Sequence, residues 1–360
     1  MDRQDRRKPD DGCLSPPGVL HFRMAEPTSP PATLLPLPDD VQLRPVTPDD
    51  FPALAAFLTA AHPDHPLAAA DLERHATFRL PDEPHWHVLA QRGGTLVGMA
   101  EAGVPRMDGH PGWIQVTATV NPPDTALMGA LLDQAEARAL AFGARTLTTG
   151  AREGWWEVPL LEARGYAVHD RMWPSVLDLT TLDDGRFRAF EERAAASGAT
   201  LRTLPDLGDI HTDGAMQRRL YDLVAALLRD VPSATPVSVW PFETWQRRFL
   251  SGLKHPEGVF VAVAPDGGWV GVSELHMPMP ARPGTLMIGL TGVLPAWRRR
   301  GLAYALKLAA ARAGHARGYT KVFTGNHSRN APMLAINEAM GFVREPARLT
   351  LTREVEGATG

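Results

Sequence analysis

The sequence predicts an α/β protein with mixed sheets, built as a tandem duplication of one unit, and three observations carry that prediction. The 360-residue chain runs twice through the same order of strand-like and helix-like segments. Each pass contains a hairpin that turns on paired glycines, Gly93-Gly94 in the first and Gly267-Gly268 in the second. Landmarks also keep register: Val120-Asn121-Pro122 stands where Val293-Leu294-Pro295 stands, and Arg164-Gly165-Tyr166 where Met340-Gly341-Phe342 stands. Each half alone is long enough for a core of its own.

The elements follow in order. Residues 1–40 read as a disordered tail, because "PTSPPATLLPLPDD" is proline-rich and offers few large apolar groups to bury. Met24 is an alternative start within it. The first unit spans 41–183. "VQLRPVT" alternates as a short strand, "PDDFPALAAFLTAAH" opens a helix, and "LAAADLERHATF" is a second helix. The hairpin "HWHVLAQRGGTLVGMAEAGV" and the strand "WIQVTATVNP" come next, then the helix "TALMGALLDQAEARALAFGA". "TLTTGA" is a strand, "WEVPLLEARGY" a helix and "WPSVLDL" a closing strand. Residues 184–198 form an amphipathic connecting helix, and the second unit occupies 199–360. There "ATLRTLPDL" is a strand, and "MQRRLYDLVAALLRDV" and "FETWQRRFLSGL" are helices. "GVFVAVAPDGGWVGVSELHM" is the hairpin. "TLMIGLTGVLP", "LAYALKLAAARAGHARG", "KVFTGN", "APMLAINEAMGF" and "RLTLTREV" alternate strand, helix, strand, helix, strand.

Composition narrows the function. The net charge of -4, from 37 basic and 41 acidic residues, does not suit a dedicated nucleic-acid binder. The single cysteine, Cys13, excludes a disulfide framework and a cysteine-based zinc site, and fits a reducing cytoplasm. No apolar run reaches the roughly 18 residues of a membrane span. Met1 to Asp10 is highly charged with no apolar stretch after it, so no secretory signal is expected.

One stretch carries chemistry: "TGVLPAWRRRGLAYALKLA". Its core fits a signature of Arg or Gln, two free positions, Gly, one free position, then Gly or Ala. Arg298, Arg299, Arg300, Gly301, Leu302 and Ala303 fill it. Downstream, "NHSRNAPMLAINEAMGF" supplies a strand-end asparagine, a helix and Gly-Phe, with Asn330, Met333, Asn337, Gly341 and Phe342 as the landmarks. Two landmarks in order, each on the expected element, resemble the acetyl-CoA-binding half of the Gcn5-related N-acetyltransferase (GNAT) superfamily. The chain as a whole is similar to tandem GNAT proteins, an arrangement also seen in mycothiol synthase. The resemblance covers nearly all of the second half; in the first it rests on element order and a few matched positions.

The residues suit that chemistry. A strand running straight into a helix leaves the first N–H groups unpartnered and the positive end of the helix dipole exposed, and a diphosphate satisfies both. Gly301 and Ala303 allow the backbone to come close, and the arginines add charge-assisted bonds. Three arginines at a helix start oppose the dipole unless an anion is bound. A nucleic-acid surface would call for a wider basic face or stacking aromatics, whereas the surroundings are alanine-rich and apolar. Val293 and Leu294 would act through their backbone, one amide facing the thioester carbonyl and others pairing with the pantetheine arm. The resemblance implies that Asn330 contacts the CoA arm; as a residue it equally suits a helix N-cap.

The implied reaction is acyl transfer from acetyl-CoA to a primary amine of a small molecule or peptide, in the second half. Attack needs a neutral amine, so a proton must be removed. The strand before the phosphate loop carries no acid, and the nearest, Glu274 in "VGVSELH", is the candidate base with His276 behind it; both also fit as solvent-facing strand residues. In the family a tyrosine on the last helix often protonates the leaving thiolate, but here Asn337 stands in its place. Tyr304 carries little weight as a substitute. A non-catalytic acyl-CoA-binding module is the competing reading. The first half departs further, with Thr125, Met128 and Ala130 at the signature positions, and is expected to be a degenerate copy that helps shape the acceptor cleft. "HPDHP" and "HWH" have metal-like spacing but no third ligand is placed by any motif, so no metal is expected. Trp155-Trp156 reads as a core or inter-domain pair. Asp230 is either a contact for a cationic amine or a turn cap.

Overall fold

Alternating apolar residues in the first unit make strands that bury one face under each neighbouring helix, and the second unit repeats the pattern. In the computed structural model, residues 35–355 are described apart from 78, 80–82, 106–109, 183, 233–238, 251–252 and 254. The tail expected over 1–40 therefore lies, up to residue 34 and with Met24 and Cys13, outside the described residues. Leu35 donates its N–H to Asp133, and Leu37 packs on the first core.

The first unit runs β1 (Val41–Pro45), α1 (Phe51–Ala61), α2 (Ala69–Thr77), β2 (His85–Arg92), β3 (Thr95–Gly103), β4 (Trp113–Val120), α3 (Thr125–Ala141), β5 (Thr146–Arg152), α4 (Glu157–Ala163) and β6 (Ala167–Asp178). The connecting helix is α5 (Arg188–Ala196). The second unit runs β7 (Thr200–Thr203), α6 (Leu204–Leu207), α7 (Gly214–Arg229), α8 (Phe242–Trp245), β8 (Val259–Val263), β9 (Trp269–Pro278), β10 (Thr285–Val293), α9 (Leu302–Ala316), β11 (Lys321–His327), α10 (Ala331–Met340), β12 (Val343–Arg344) and β13 (Arg348–Glu354).

Three local details depart from expectation. The strand at "ATLRTLPDL" stops at Thr203, where Thr203 and Asp206 form a capping box around Pro205 and start α6. The helix expected over "FETWQRRFLSGL" is a single α-turn followed by a π-helical turn, Gln246–Leu250. The strand expected at "WPSVLDL" begins earlier, at Ala167, so that β6 is 12 residues long.

Among the described residues thirteen strands join in one sheet, in the order β1-β2-β3-β4-β5-β13-β6-β11-β10-β9-β8-β7, with β12 beside β6. The closing strands are exchanged. The last strand among the described residues, β13, pairs with β5 along its whole length, from Arg348↔Arg152 to Glu354↔Thr146. The last strand of the first unit, β6, pairs antiparallel with β11 of the second. A β13–β6 ladder then makes the sheet continuous.

Helices cover both faces. In the first unit α3 buries Leu127, Met128, Leu131, Leu132 and Ala135 against Val88, Ala90, Ala100, Ala102 and Val116. On the other face Leu54 and Phe57 of α1 meet Leu89 and Met99. The second unit repeats this: Leu220, Leu223 and Val224 of α7 lie on Val261 and Val272, and Leu308 and Ala311 of α9 on Leu275, Leu286 and Ile288. Each such fully buried leucine contributes roughly 2 kcal/mol. Among the described residues no helix is long and apolar enough to cross a membrane.

Candidate active site

The second unit opens where β10 and β11 part. They pair in parallel only over Thr285–Met287 and Lys321–Phe323. Beyond that point β10 continues to Val293 and β11 to His327, and the two strands share no further register. Irregularities in the β9–β10 ladder on either side of Ile288 bend β10 away. The same parting occurs in the first unit, where β4 and β5 pair only from Trp113↔Thr146 to Gln115↔Thr148.

At the end of β10 the sequence-predicted residues come together, each in a distinct role. Val293 is buried, and its carbonyl accepts from Arg298 Nε at 3.0 Å. Leu294 donates its N–H to Val270 at 2.8 Å. Successive strand amides point to opposite edges, so the Val293 N–H is turned toward the gap. A short 3₁₀ turn, Pro295–Trp297, leads into the three arginines. Arg298 also pairs with Asp230 at the end of α7, so the two residues singled out separately in the sequence are partners. Arg300 donates to the Ala296 carbonyl and lies over the Trp297 ring.

Arg299 has φ 61° and Gly301 φ 80°, both left-handed. For arginine that conformation costs on the order of 1–2 kcal/mol. Left-handed residues beside ordinary ones turn consecutive N–H groups toward one point, a concavity suited to an anion. Gly301 is the N-cap of α9 and no side chain caps the helix. Among the described residues, none of the six main-chain N–H groups from Arg299 to Tyr304 meets a protein acceptor.

Gly301 is also constrained from another direction. A Cβ there would stand 2.2 Å from the Phe190 carbonyl oxygen of α5. The connecting helix thus packs against the loop, with the Phe190 ring stacked on Tyr304 at 3.9 Å. Leu302 is buried beside Ala194, Ala305 and Leu306, while Ala303 is only partly buried.

Glu274 sits on the α7 side of β9 and is buried. Its Oε2 accepts the Leu290 N–H at 3.2 Å, in the irregular stretch of β10. The side chain of His276 lies outside the described residues. Asn330 caps α10: its Oδ1 accepts the Met333 N–H at 3.3 Å. Asn337 is buried and donates from Nδ2 to Asn326 Oδ1 at 2.6 Å, while its own Oδ1 has no partner among the described residues.

Two features escaped the sequence reading. At the end of β11, His327 Nδ1 stands 2.5 Å from Asp170 Oδ2 of β6. Asp170 precedes the strand expected there, so nothing local pointed to it. The other is the use of "HPDHP" and Trp155. His62 stacks on Trp155 at 3.5 Å and contacts Glu157 at 3.1 Å, and Asp64 accepts from Trp155 Nε1 and from the buried Arg152. Burial, with Arg348, Arg152 and Arg282 nearby, pushes the His65 pKa down to about 4.

Residues 223–342, from α7 through α10, match the model of the acetyltransferase (GNAT) family. A search of curated proteins by sequence finds no match. Among solved structures, the chain is similar to a GCN5-related N-acetyltransferase from Sphaerobacter thermophilus, with TM-score 0.68, 20% identity, and 90% of this chain and 100% of that one covered. A tandem GNAT protein of the clavulanic acid biosynthesis pathway gives TM-score 0.65 and 21% identity, covering 89% and 99%. A glucosamine N-acetyltransferase region of a fungal multi-domain β-N-acetylglucosaminidase gives 0.63 and 14%, covering 87% of this chain and 38% of that one. Likeness at these identities is likeness of fold, and with the family match it supports acyl transfer as the class of chemistry. The chain has the tandem GNAT fold, and residues 223–342 of its second half match the model of the GNAT acetyltransferase family.

Proposed function

We propose that the second half transfers an acetyl group from acetyl-CoA to a primary amine of a small molecule or peptide, in the cytoplasm. The observation that carries this reading is the run of unpartnered N–H groups from Arg299 to Tyr304 at an uncapped helix start, beside the parted strands. The diphosphate of CoA would occupy that concavity, with Arg299 and Arg300 supplying attraction and the Leu302 and Ala303 amides supplying hydrogen bonds. Arg298 contributes by fixing the Asp230 loop to the end of β10. The pantetheine arm would lie along β10 in the gap, the Val293 N–H facing the thioester carbonyl as it becomes an oxyanion.

Glu274 is the proposed base, directly or through water. An ammonium has an ordinary pKa of about 10.4, so the amine must lose a proton before it attacks the carbonyl carbon. The tetrahedral intermediate collapses with release of CoA thiolate. A thiol pKa near roughly 8.5 makes the thiolate a tolerable leaving group without a dedicated acid, which suits the buried Asn337.

One observation favours a second reading, that the half binds acyl-CoA without turnover: Asn337 is locked to Asn326 where the family often has a tyrosine. Thiol release separates the two. CoA formation with any amine of a panel of aminoglycosides, polyamines, amino acids and protein N-termini supports transfer; tight binding with no release across the panel supports the binder. Arg299→Asp tests the anion site itself, because Arg299 is exposed and aspartate tolerates a left-handed backbone. Calorimetry should show CoA affinity at least about 10-fold weaker, the effect of roughly 1.4 kcal/mol, with an unchanged melting temperature. Unchanged affinity would remove this loop from CoA binding.

A further inference from the structure

The first half contains a cluster that the acyl-transfer reading does not use. His85 and His87 are two residues apart on β2, so both rings leave the same face of the sheet. Glu101 on β3 is the direct cross-strand partner of His87. One ligating atom from each of the three lies within 4.8 Å of the others, and His85 Nε2 is 3.0 Å from Glu101 Oε1. We infer that His85, His87 and Glu101 form a divalent-metal site, with zinc the ion that best fits two imidazoles and one carboxylate.

The geometry needs little adjustment. Zinc bonds of about 2.0–2.1 Å in a tetrahedron put neighbouring ligand atoms roughly 3.3–3.4 Å apart. An independent sign is His87 Nε2, which is buried and has no hydrogen-bond partner. Buried imidazole nitrogens are ordinarily satisfied, so this one points at a missing partner. An imidazole with a free lone pair and a carboxylate are the donors a divalent ion needs.

Arg79 is the competitor. Its Nη2 lies 2.5 Å from Glu101 Oε1, and its Nη1 is 3.4 Å from His85 Nδ1. A guanidinium there supplies the positive charge that the carboxylate requires without metal, and a divalent ion would displace it. Three protein ligands leave a fourth position for water or another donor.

The proposal makes a prediction that a structural ion pair does not share: removing Arg79 should tighten metal binding. Untagged full-length chain, stripped with chelator, is titrated with ZnCl₂ by calorimetry, and Co²⁺ replaces zinc for visible spectroscopy. One ion per chain is expected, with Co²⁺ ligand-field bands that mark nitrogen and oxygen ligation in an ordered site. Arg79→Ala should tighten zinc by about 10-fold or more, and His87→Ala and Glu101→Gln should each abolish stoichiometric binding. His62→Ala, in the separate His62–Glu157 pair, should leave it unchanged. The Co²⁺ spectrum of the unmodified chain does not depend on any variant folding. Absence of stoichiometric binding in both the unmodified chain and Arg79→Ala would overturn the site, as would binding that survives in His87→Ala and Glu101→Gln.

Discussion

The two halves solve one problem, the start of the helix after the parted strands, in opposite ways. In the first half α3 begins directly at Thr125, and Asp124 caps it by accepting the Ala126 and Leu127 N–H groups, each at 3.0 Å. In the second half the equivalent stretch stays outside the helix as a left-handed loop, and α9 begins only at Leu302 with no side-chain cap. A helix N-terminus needs acceptors and tolerates negative charge. The first half carries both in its own chain, and the second leaves the place open. A cavity of about 400 Å³ lies at the α3 start, but Asp124 lines it, and an anion there would meet a carboxylate. The two halves thus share an architecture and differ at this helix start.

Experiments can break this contrast or sharpen it. The largest effect is expected from Glu274→Gln. The amide can still accept the Leu290 N–H, so the fold should hold, while the rate with a turned-over amine falls about 10²-fold at neutral pH. It should recover as pH rises toward the amine pKa; an unchanged pH–rate profile would remove Glu274 from the reaction. Gly301→Ala comes next. A left-handed alanine costs about 1–2 kcal/mol, and the clash with the Phe190 carbonyl adds to it. A melting temperature several degrees lower is expected, and an unchanged one would contradict the packing of α5 on the loop.

The helices also differ inside. Lys307 of α9 is buried, where the register of the repeat puts Gln134 in α3, and burial pushes its pKa down to about 7. The unfolded chain keeps that proton up to about pH 10.4, so between roughly pH 7 and 10 it binds more protons than the folded one and this contribution to stability rises with pH. Below about pH 7 both states are protonated and the cost of burying the charge is paid in full. Lys307→Met should therefore raise the melting temperature at pH 7 and flatten the rise above it. Denaturation across that range checks both. The smallest effect is Asp124→Ala, which should cost about 1 kcal/mol in urea unfolding by uncapping α3. CoA titration of the unmodified chain should give one site; two equivalent sites would end the contrast between the halves.

Much of the fold was legible because its signals are local. Paired glycines marked both hairpins, and Val-Leu-Pro and Gly-Phe landmarks fixed the register of the repeat. The loop of the candidate site was legible for the same reason, since Arg298 to Ala303 are contiguous. What the sequence could not carry was partnership across distance. The missing Cβ of Gly301 was read as room for a diphosphate, yet the atom that comes close is the carbonyl of Phe190, on a helix more than a hundred residues earlier. The pairing of Arg298 with Asp230, and of Asn337 with Asn326, is likewise set by tertiary placement. "HWH" showed spacing without a third group, because Glu101 reaches it only through the cross-strand register.

The exchanged closing strands bear on how the chain is made. The β5 edge of the first half finds its partner in Arg348–Glu354, with Thr146 bonded to Glu354 across 208 positions of sequence. During synthesis that edge emerges 208 positions before the strand that pairs with it, so the sheet of the first half is completed only once Arg348–Glu354 has been made. Until then an unpaired strand edge stands open to other chains. Loss of β13 would consequently strip the partner from β5 and β6 of the first unit, far from it in sequence.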